Sequence, residues 1–192
     1  MNPSLPKLYL ARHGQTEWSL TGQHTGRTDI ALTPVGEEEA RRLGERLRDF
    51  TVANVFTSPL QRASKTCEIA GYGDHAIAED ALMEWHYGDY EGKRITEIRE
   101  LDSDWLLFRD GAPNGETPNQ VQARVDRFIQ RVRSLEGDSL AFAHGHILRI
   151  VATRWIGLPI ASSSIFTIDT ATLSILGYEH NLDEPVIRVW NS

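Results

Sequence analysis

The chain has 192 residues, a formal net charge of −7, 40% apolar and 24% charged residues, the composition of a globular domain long enough to bury its own core. An acidic chain has no basic excess for phosphate backbones or an anionic membrane surface, so neither nucleic acid nor membrane is an expected partner. The longest stretch without Asp, Glu, Lys or Arg, Trp155 to Ile168, contains Pro159 and three serines and is too short to cross a bilayer.

Short apolar runs alternate with helical stripes, which predicts a three-layer α/β/α fold around a mostly parallel sheet. Leu8 to Ala11 reads as the first buried strand. Thr33 and Pro34 then form a cap with proline at the first helical position, and Glu37, Glu38 and Glu39 form a solvated face near the positive end of the dipole. The stripe Ala40, Leu43, Leu47, Phe50 gives this helix its buried side. Asn54 to Thr57 predicts a second strand. Ser58 and Pro59 repeat the cap device ahead of the stripe Leu60, Ala63, Cys67, Ala70.

A third stripe runs Ile98, Leu101, Trp105, Phe108, and Thr117-Pro-Asn-Gln120 has capping-box spacing before Val121, Val125, Phe128, Val132 and Leu135. Leu140 to Ala143, Leu173 to Leu176 and Val186 to Val189 predict the later strands. The expectation is one domain over 1–192, with residues 74–115 inserted as a short helical lid over the site. The opening MNPSLPK lacks a charged region followed by an apolar block, so no signal peptide is expected. The single Cys67 rules out an internal disulfide and suits a reducing compartment, hence the cytoplasm.

Two places share one design. The runs Leu8 to Arg12 and Leu140 to Ala143 end in His13-Gly14 and His144-Gly145, each placing a histidine at the carboxyl end of a strand before a glycine that permits a tight turn. Ligands sit at the carboxyl ends of strands in open α/β sheets, so the two histidines would face one pocket. Arg12 precedes the first, and Arg62 lies in the first turn of a helix, where free N–H groups already favour an anion. Forked guanidinium groups suit a tetrahedral dianion, which points to a phosphate pocket.

Other roles for these residues are blander. A histidine at a strand end is commonly structural, and His144 with His146 has the spacing of two metal ligands. A helix starting between them would turn the second side chain elsewhere, and no acidic cluster accompanies them, so no metal is expected. Cys67 sits on a buried stripe, and Gly73 stands where a cysteine phosphatase needs an arginine, so Cys67 reads as core.

Several blocks carry a family resemblance. Leu10-Ala-Arg-His-Gly-Gln-Thr-Glu-Trp18, Thr25-Gly-Arg-Thr-Asp29, Thr57-Ser-Pro-Leu-Gln-Arg-Ala63, Leu82-Met-Glu-Trp-His-Tyr-Gly-Asp-Tyr-Glu-Gly92 and Ala143-His-Gly-His146 occur in order along nearly the whole chain. Together they resemble the histidine phosphatase superfamily in its phosphoglycerate-mutase-like branch. The resemblance implies that His13 is the nucleophile, that Arg12, Arg62 and His144 hold the phosphoryl oxygens, and that Glu84 donates a proton to the leaving oxygen. It also implies that Thr16, Gln23, Thr25, Gly26, Tyr87 and Gly145 line the substrate side, with Trp18, Trp85 and Trp105 as possible walls. Arg109, in Phe-Arg-Asp-Gly111, is a candidate for a second anionic group of the substrate. No cofactor is implied.

Three functions fit the resemblance: a phosphatase, a cofactor-dependent phosphoglycerate mutase, and a silent phosphate-binding module. All five core residues are present, which disfavours the third. Gly92 to His144 is compact and lacks the paired arginines of the mutases after Trp105, which favours the phosphatase. The block Glu84 to Gly92, with Arg109-Asp-Gly, Asn114-Gly-Glu-Thr117 and His180 to Pro185, resembles both sugar bisphosphatases and small acid phosphatases. The expected partner is a small phosphorylated metabolite.

Overall fold

The computed structural model describes residues 5–192. Six strands form one sheet: β1 Leu8–Arg12, β2 Asn54–Thr57, β3 Ala76–Ala78, β4 Ser139–Ala143, β5 Leu173–Tyr178 and β6 Pro185–Val189. Their order is β3-β2-β4-β1-β5-β6, with β3, β2, β4 and β1 mutually parallel and β5 antiparallel to both β1 and β6. The helices are α1 Glu17–Thr21, α2 Pro34–Leu47, α3 Gln61–Ile69, α4 Ile95–Leu101, α5 Leu107–Asp110, α6 Pro118–Arg133 and α7 Gly145–Trp155.

Strand alternation divides the core between two faces. Tyr9 and Ala11 pack with Leu43, Leu47 and Cys67 under α2 and α3. Leu8 and Leu10 pack with Val125, Phe128, Ile147 and Val151 under α6 and α7. The three-layer expectation therefore holds. Cys67 is a core residue whose thiol burial pushes up to about 12.

The caps at Thr33 and Thr117 form as expected, each hydroxyl accepting an N–H from the third helical residue, Gly36 at 3.0 Å and Gln120 at 3.4 Å. Three local expectations are corrected. Ser58 does not cap α3: Leu60 is the capping residue without a side-chain bond, and the Ser58 hydroxyl turns to His144. The stripe from Ile98 to Phe108 is two short helices rather than one, with Leu101 exposed at the end of α4. Within 74–115, Ala76–Ala78 pairs with β2 as an edge strand, too short to show an alternating pattern. The rest of that segment contributes Glu84 and Tyr87 to the pocket wall.

Register delivers the site. Arg12 pairs with Ala143, and the His13 N–H donates to the Ala143 carbonyl at 3.0 Å, so the two histidines follow adjacent strand ends. Thr57 pairs with Phe142, which brings Ser58 alongside. Gly14 has no left-handed backbone; its need is space, because a Cβ there would lie 2.3 Å from the Gly36 carbonyl oxygen. Gly36 answers it, since a Cβ on that residue would lie 2.2 Å from the Gln15 oxygen. This crossing presses the first turn of α2 onto the loop that carries His13.

Alanine normally stabilises a helix interior by about 1 kcal/mol over glycine. At Gly36 the clash is with backbone and opposes that gain, at an overpacking cost of about 1–3 kcal/mol. Gly36→Ala should lower the urea midpoint and reduce activity together. An unchanged midpoint would mean that the crossing is loose.

Candidate active site

The carboxyl ends of β1 and β4 open into a pocket of about 320 Å³. Its lining includes Arg12, His13, Glu84, Gly145 and His146 together with Trp18, Gln23, His24, Thr25, Tyr87, Arg149 and Ile168. The His13 ring sits 5.2 Å from the His144 ring, centroid to centroid.

Each imidazole has its tautomer fixed by a neighbour. Nδ1 of His13 lies 2.7 Å from the carbonyl of Gly14 and must donate to it, which leaves the Nε2 lone pair without a hydrogen-bond partner among the described residues. Burial first, then the charges of Arg12 and Arg62, push His13 well below the ordinary 6.5, so the ring is neutral at physiological pH. Nδ1 of His144 accepts from Nε of Arg62 at 3.1 Å, so its Nε2 carries the proton and donates to the Ser58 hydroxyl at 2.8 Å. Burial, then Arg62 and His13, likewise hold His144 well below 6.5.

The two arginines are placed differently. Arg12 lines the pocket and donates Nη1 to the Ile168 carbonyl at 2.5 Å, while its buried Nε has no hydrogen-bond partner among the described residues. An unpaired buried donor carries a desolvation cost that an acceptor in the pocket would relieve. Arg62 is fully buried behind the pocket. It donates to His144 and to the carbonyls of Thr25, Gly26 and Thr28 at 2.9–3.1 Å. Burial lowers both arginines, and the Glu84 charge opposes that shift.

Glu84 is buried at 5% exposure. Its carboxylate accepts N–H groups from Trp85 at 2.9 Å, His146 at 3.0 Å and Ile147 at 3.2 Å. The last two belong to the first turn of α7, where free N–H groups and the dipole favour an anion. Tyr87, whose phenol burial raises well above its ordinary value, donates to Nδ1 of the neutral His146 at 2.5 Å.

The other sequence candidates separate into two groups. Gln23, Thr25, Tyr87 and Gly145 line the pocket. Thr16 instead caps α1 by accepting from Ser19 at 3.1 Å, and Gly26 lies behind, its N–H given to Glu91 at 2.8 Å. Arg109 is a correction: it is exposed and forked onto its neighbour Asp110 at 2.6 and 2.7 Å, away from the pocket. The local ion pair and the broken helix direct it to solvent. Trp18 is a wall, whereas Trp85 and Trp105 are core.

The sequence does not single out His24 or Arg149, and it gives His146 and Ser58 other roles, a candidate metal ligand and a helix cap. The His-Gly-His spacing marks His146, and Arg149 follows Gly145 by four on the same helical face, whereas Ser58 was hidden by its cap-like sequence. His144 and His146 do not converge, since one meets Arg62 and Ser58 and the other meets Tyr87. Among the described residues no group of three or more His, Cys, Asp or Glu is arranged to hold a metal ion.

Burial holds His13, His24, His144 and His146 below 6.5. Unfolded, these rings take up protons near 6.5; folded, they stay neutral. The unfolded state thus binds more protons, and stability is lost as pH falls below about 6.5. The urea midpoint should drop between pH 7.5 and 5.5; a flat midpoint over that range would contradict the neutral cluster.

The sequence matches the model of the histidine phosphatase superfamily (branch 1) over residues 8–192. It is 38% identical to an acid phosphatase of Mycobacterium tuberculosis, over 92% of this chain and 88% of that one. It is 34% identical to the sedoheptulose 1,7-bisphosphatase of Saccharomyces cerevisiae, over 97% and 93%. A 2,3-bisphosphoglycerate-dependent phosphoglycerate mutase of Methylorubrum populi shares 36% identity over 93% and 92%. Among solved structures, an open-reading-frame product of Mycobacterium tuberculosis superposes with a TM-score of 0.92 at 37% identity, covering 97% of each chain. With that match over nearly its whole length, the chain belongs to the histidine phosphatase superfamily, branch 1.

Proposed function

We propose that the protein is a phosphomonoester hydrolase acting on small sugar phosphates or bisphosphates through a phosphohistidine on His13. The observation that carries this reading is the His13 ring: neutral, fixed through Nδ1, with a free Nε2 in a pocket bordered by the unpartnered Nε–H of Arg12. A lone pair held in place beside desolvated cations is what in-line attack on phosphorus requires.

On this reading Nε2 attacks phosphorus and the ester P–O bond breaks. Arg12, the one remaining Nη1–H of Arg62 and the Nε2–H of His144 take the equatorial oxygens, a phosphoryl oxygen replacing the Ser58 hydroxyl as the acceptor of His144. A proton brought in by the monoanionic ester passes to the Glu84 carboxylate, which gives it to the departing alkoxide. A water then attacks phosphorus as Glu84 takes its proton, the P–N bond breaks to free Nε2 of His13, and inorganic phosphate leaves with that proton. Side chains supply both nucleophile and positive charge, so no cofactor enters the scheme. Gln23, Thr25, Tyr87 and Gly145 border the space left for the sugar.

The substrate class is carried over from the sugar bisphosphatase and acid phosphatase relatives. We read the chain as one domain, residues beyond Glu79 forming the wall that brings Glu84 to the site. No described helix is long and apolar enough to cross a membrane, and the single buried Cys67 supports a reducing, cytoplasmic setting.

A mutase relative makes transfer back to substrate the competing outcome. With 3-phosphoglycerate and a bisphosphate primer, release of inorganic phosphate should exceed formation of 2-phosphoglycerate. With sedoheptulose bisphosphate, phosphate release should be catalytic and survive chelators. Isomerisation outrunning release would replace hydrolase by mutase.

A further inference from the structure

The hydrolytic scheme leaves unused the Asn114-Gly-Glu-Thr117 block and a buried arginine on α6. Arg124 is 8% exposed, and its guanidinium is saturated. Nε and Nη2 fork onto the two carboxylate oxygens of Glu116 at 2.8 and 3.0 Å. Nη1 donates to the carbonyls of Ala81 at 2.6 Å and Met83 at 2.7 Å, and Nη2 reaches the Glu84 carbonyl at 3.3 Å.

Glu116 holds the same stretch from its other end. Its carboxylate accepts the His86 N–H at 2.9 Å, its carbonyl accepts the Trp85 indole N–H at 2.8 Å, and its own N–H donates to the His86 carbonyl at 2.9 Å. Gly115 permits this approach, since a Cβ there would lie 2.1 Å from the His86 oxygen. Burial pushes the Glu116 carboxyl up, but the Arg124 bonds and charge outweigh it and keep the group below its ordinary value.

Apart from each other, these hydrogen-bond partners all fall within residues 81–86, on both sides of Glu84. The Glu84 carboxylate is held from another side by two N–H groups of α7, and by the Trp85 N–H of the clamped stretch itself. Two clamps joined at Trp85 therefore act on one residue, one on its backbone and one on its carboxylate. A buried ion pair is a poor device for stability alone, since apolar replacements often do as well. A planar fork that must also satisfy three backbone carbonyls cannot be replaced by the single nitrogen of lysine.

We propose that Arg124 and Glu116 are positioning residues: their bidentate pair fixes the backbone of residues 81–86 so that the Glu84 carboxyl meets the leaving oxygen. The inference rests on the reading of Glu84 as proton donor. Misplacing a reacting group by about 1 Å costs on the order of 10²-fold, and that loss should appear only where the leaving group needs a proton.

The test is a rapid-quench comparison of phosphoenzyme formation from sedoheptulose bisphosphate, which leaves as a basic alkoxide, and nitrophenyl phosphate, which leaves as a stabilised phenoxide. Wild type, Arg124→Lys, Glu84→Gln and their double variant are compared, each checked for folding by its thermal midpoint. Glu116→Gln keeps one acceptor for Nε of Arg124 and serves if Arg124→Lys does not fold. Arg124→Lys should slow the sugar ester by about tenfold to a hundredfold and leave the nitrophenyl burst unchanged. In the Glu84→Gln background it should cause no further loss, because both changes remove the same contribution. If Glu84→Gln discriminates between the esters but Arg124→Lys slows both equally, or adds its full loss in the double variant, the clamp is structural and the proposal falls alone. Should Glu84→Gln itself slow both esters equally, Glu84 is not the acid and the proposal falls with that reading.

Discussion

The site depends on one backbone contact, the His13 N–H bonded to the Ala143 carbonyl at the end of the β1–β4 ladder. That bond fixes the register in which two histidines leave adjacent parallel strands, and it sets their rings 5.2 Å apart. A slip of one residue would send each imidazole to the opposite face of the sheet. The Gly14–Gly36 crossing then holds the His13 loop from the α2 side, with no room for a Cβ on either chain. Geometry comes first here, and the chemistry follows from it.

Electrostatics follow from the same packing. Placing two guanidinium groups and two imidazoles together off bulk water leaves the imidazoles only one comfortable state, the neutral one. Neutral rings need not repel the arginines, and each ring finds a partner that chooses its tautomer. The cost appears as an orphaned Arg12 Nε, a donor with no acceptor among the described residues. An acidic protein thus builds a locally cationic pocket, and its net charge gives no hint of it. Glu84, held by the first turn of α7, supplies the opposing charge at the pocket edge.

Much of this was legible in the sequence. The strands from Leu8, Asn54 and Leu140 were marked by short apolar runs, and Thr33 and Thr117 announced their helices through cap chemistry. Arg12, His13, Arg62, Glu84 and His144 stand in recognisable blocks, and the structure gathers all five at or directly behind one pocket. Local pattern failed where tertiary contact decides. Ser58-Pro59 has the form of a cap, yet its hydroxyl is claimed by a histidine 86 positions away. Ala76–Ala78 is too short to show alternation and becomes a strand only because β2 offers an edge. Arg109 looked like an anion ligand until its neighbour Asp110 took it. Arg149, four residues after Gly145, occupies the pocket instead, a placement that periodicity contains but that no motif signalled.

The central claim is that the free Nε2 of His13 is the atom that takes the phosphoryl group. It is tested most directly by brief incubation with isotopically labelled substrate, a quench in alkali, and mapping of the label. The account predicts acid-labile phosphate on His13, attached through Nε2, and none in the His13→Ala protein. Label that persists in His13→Ala, or that resides on another residue of the wild type, would contradict it.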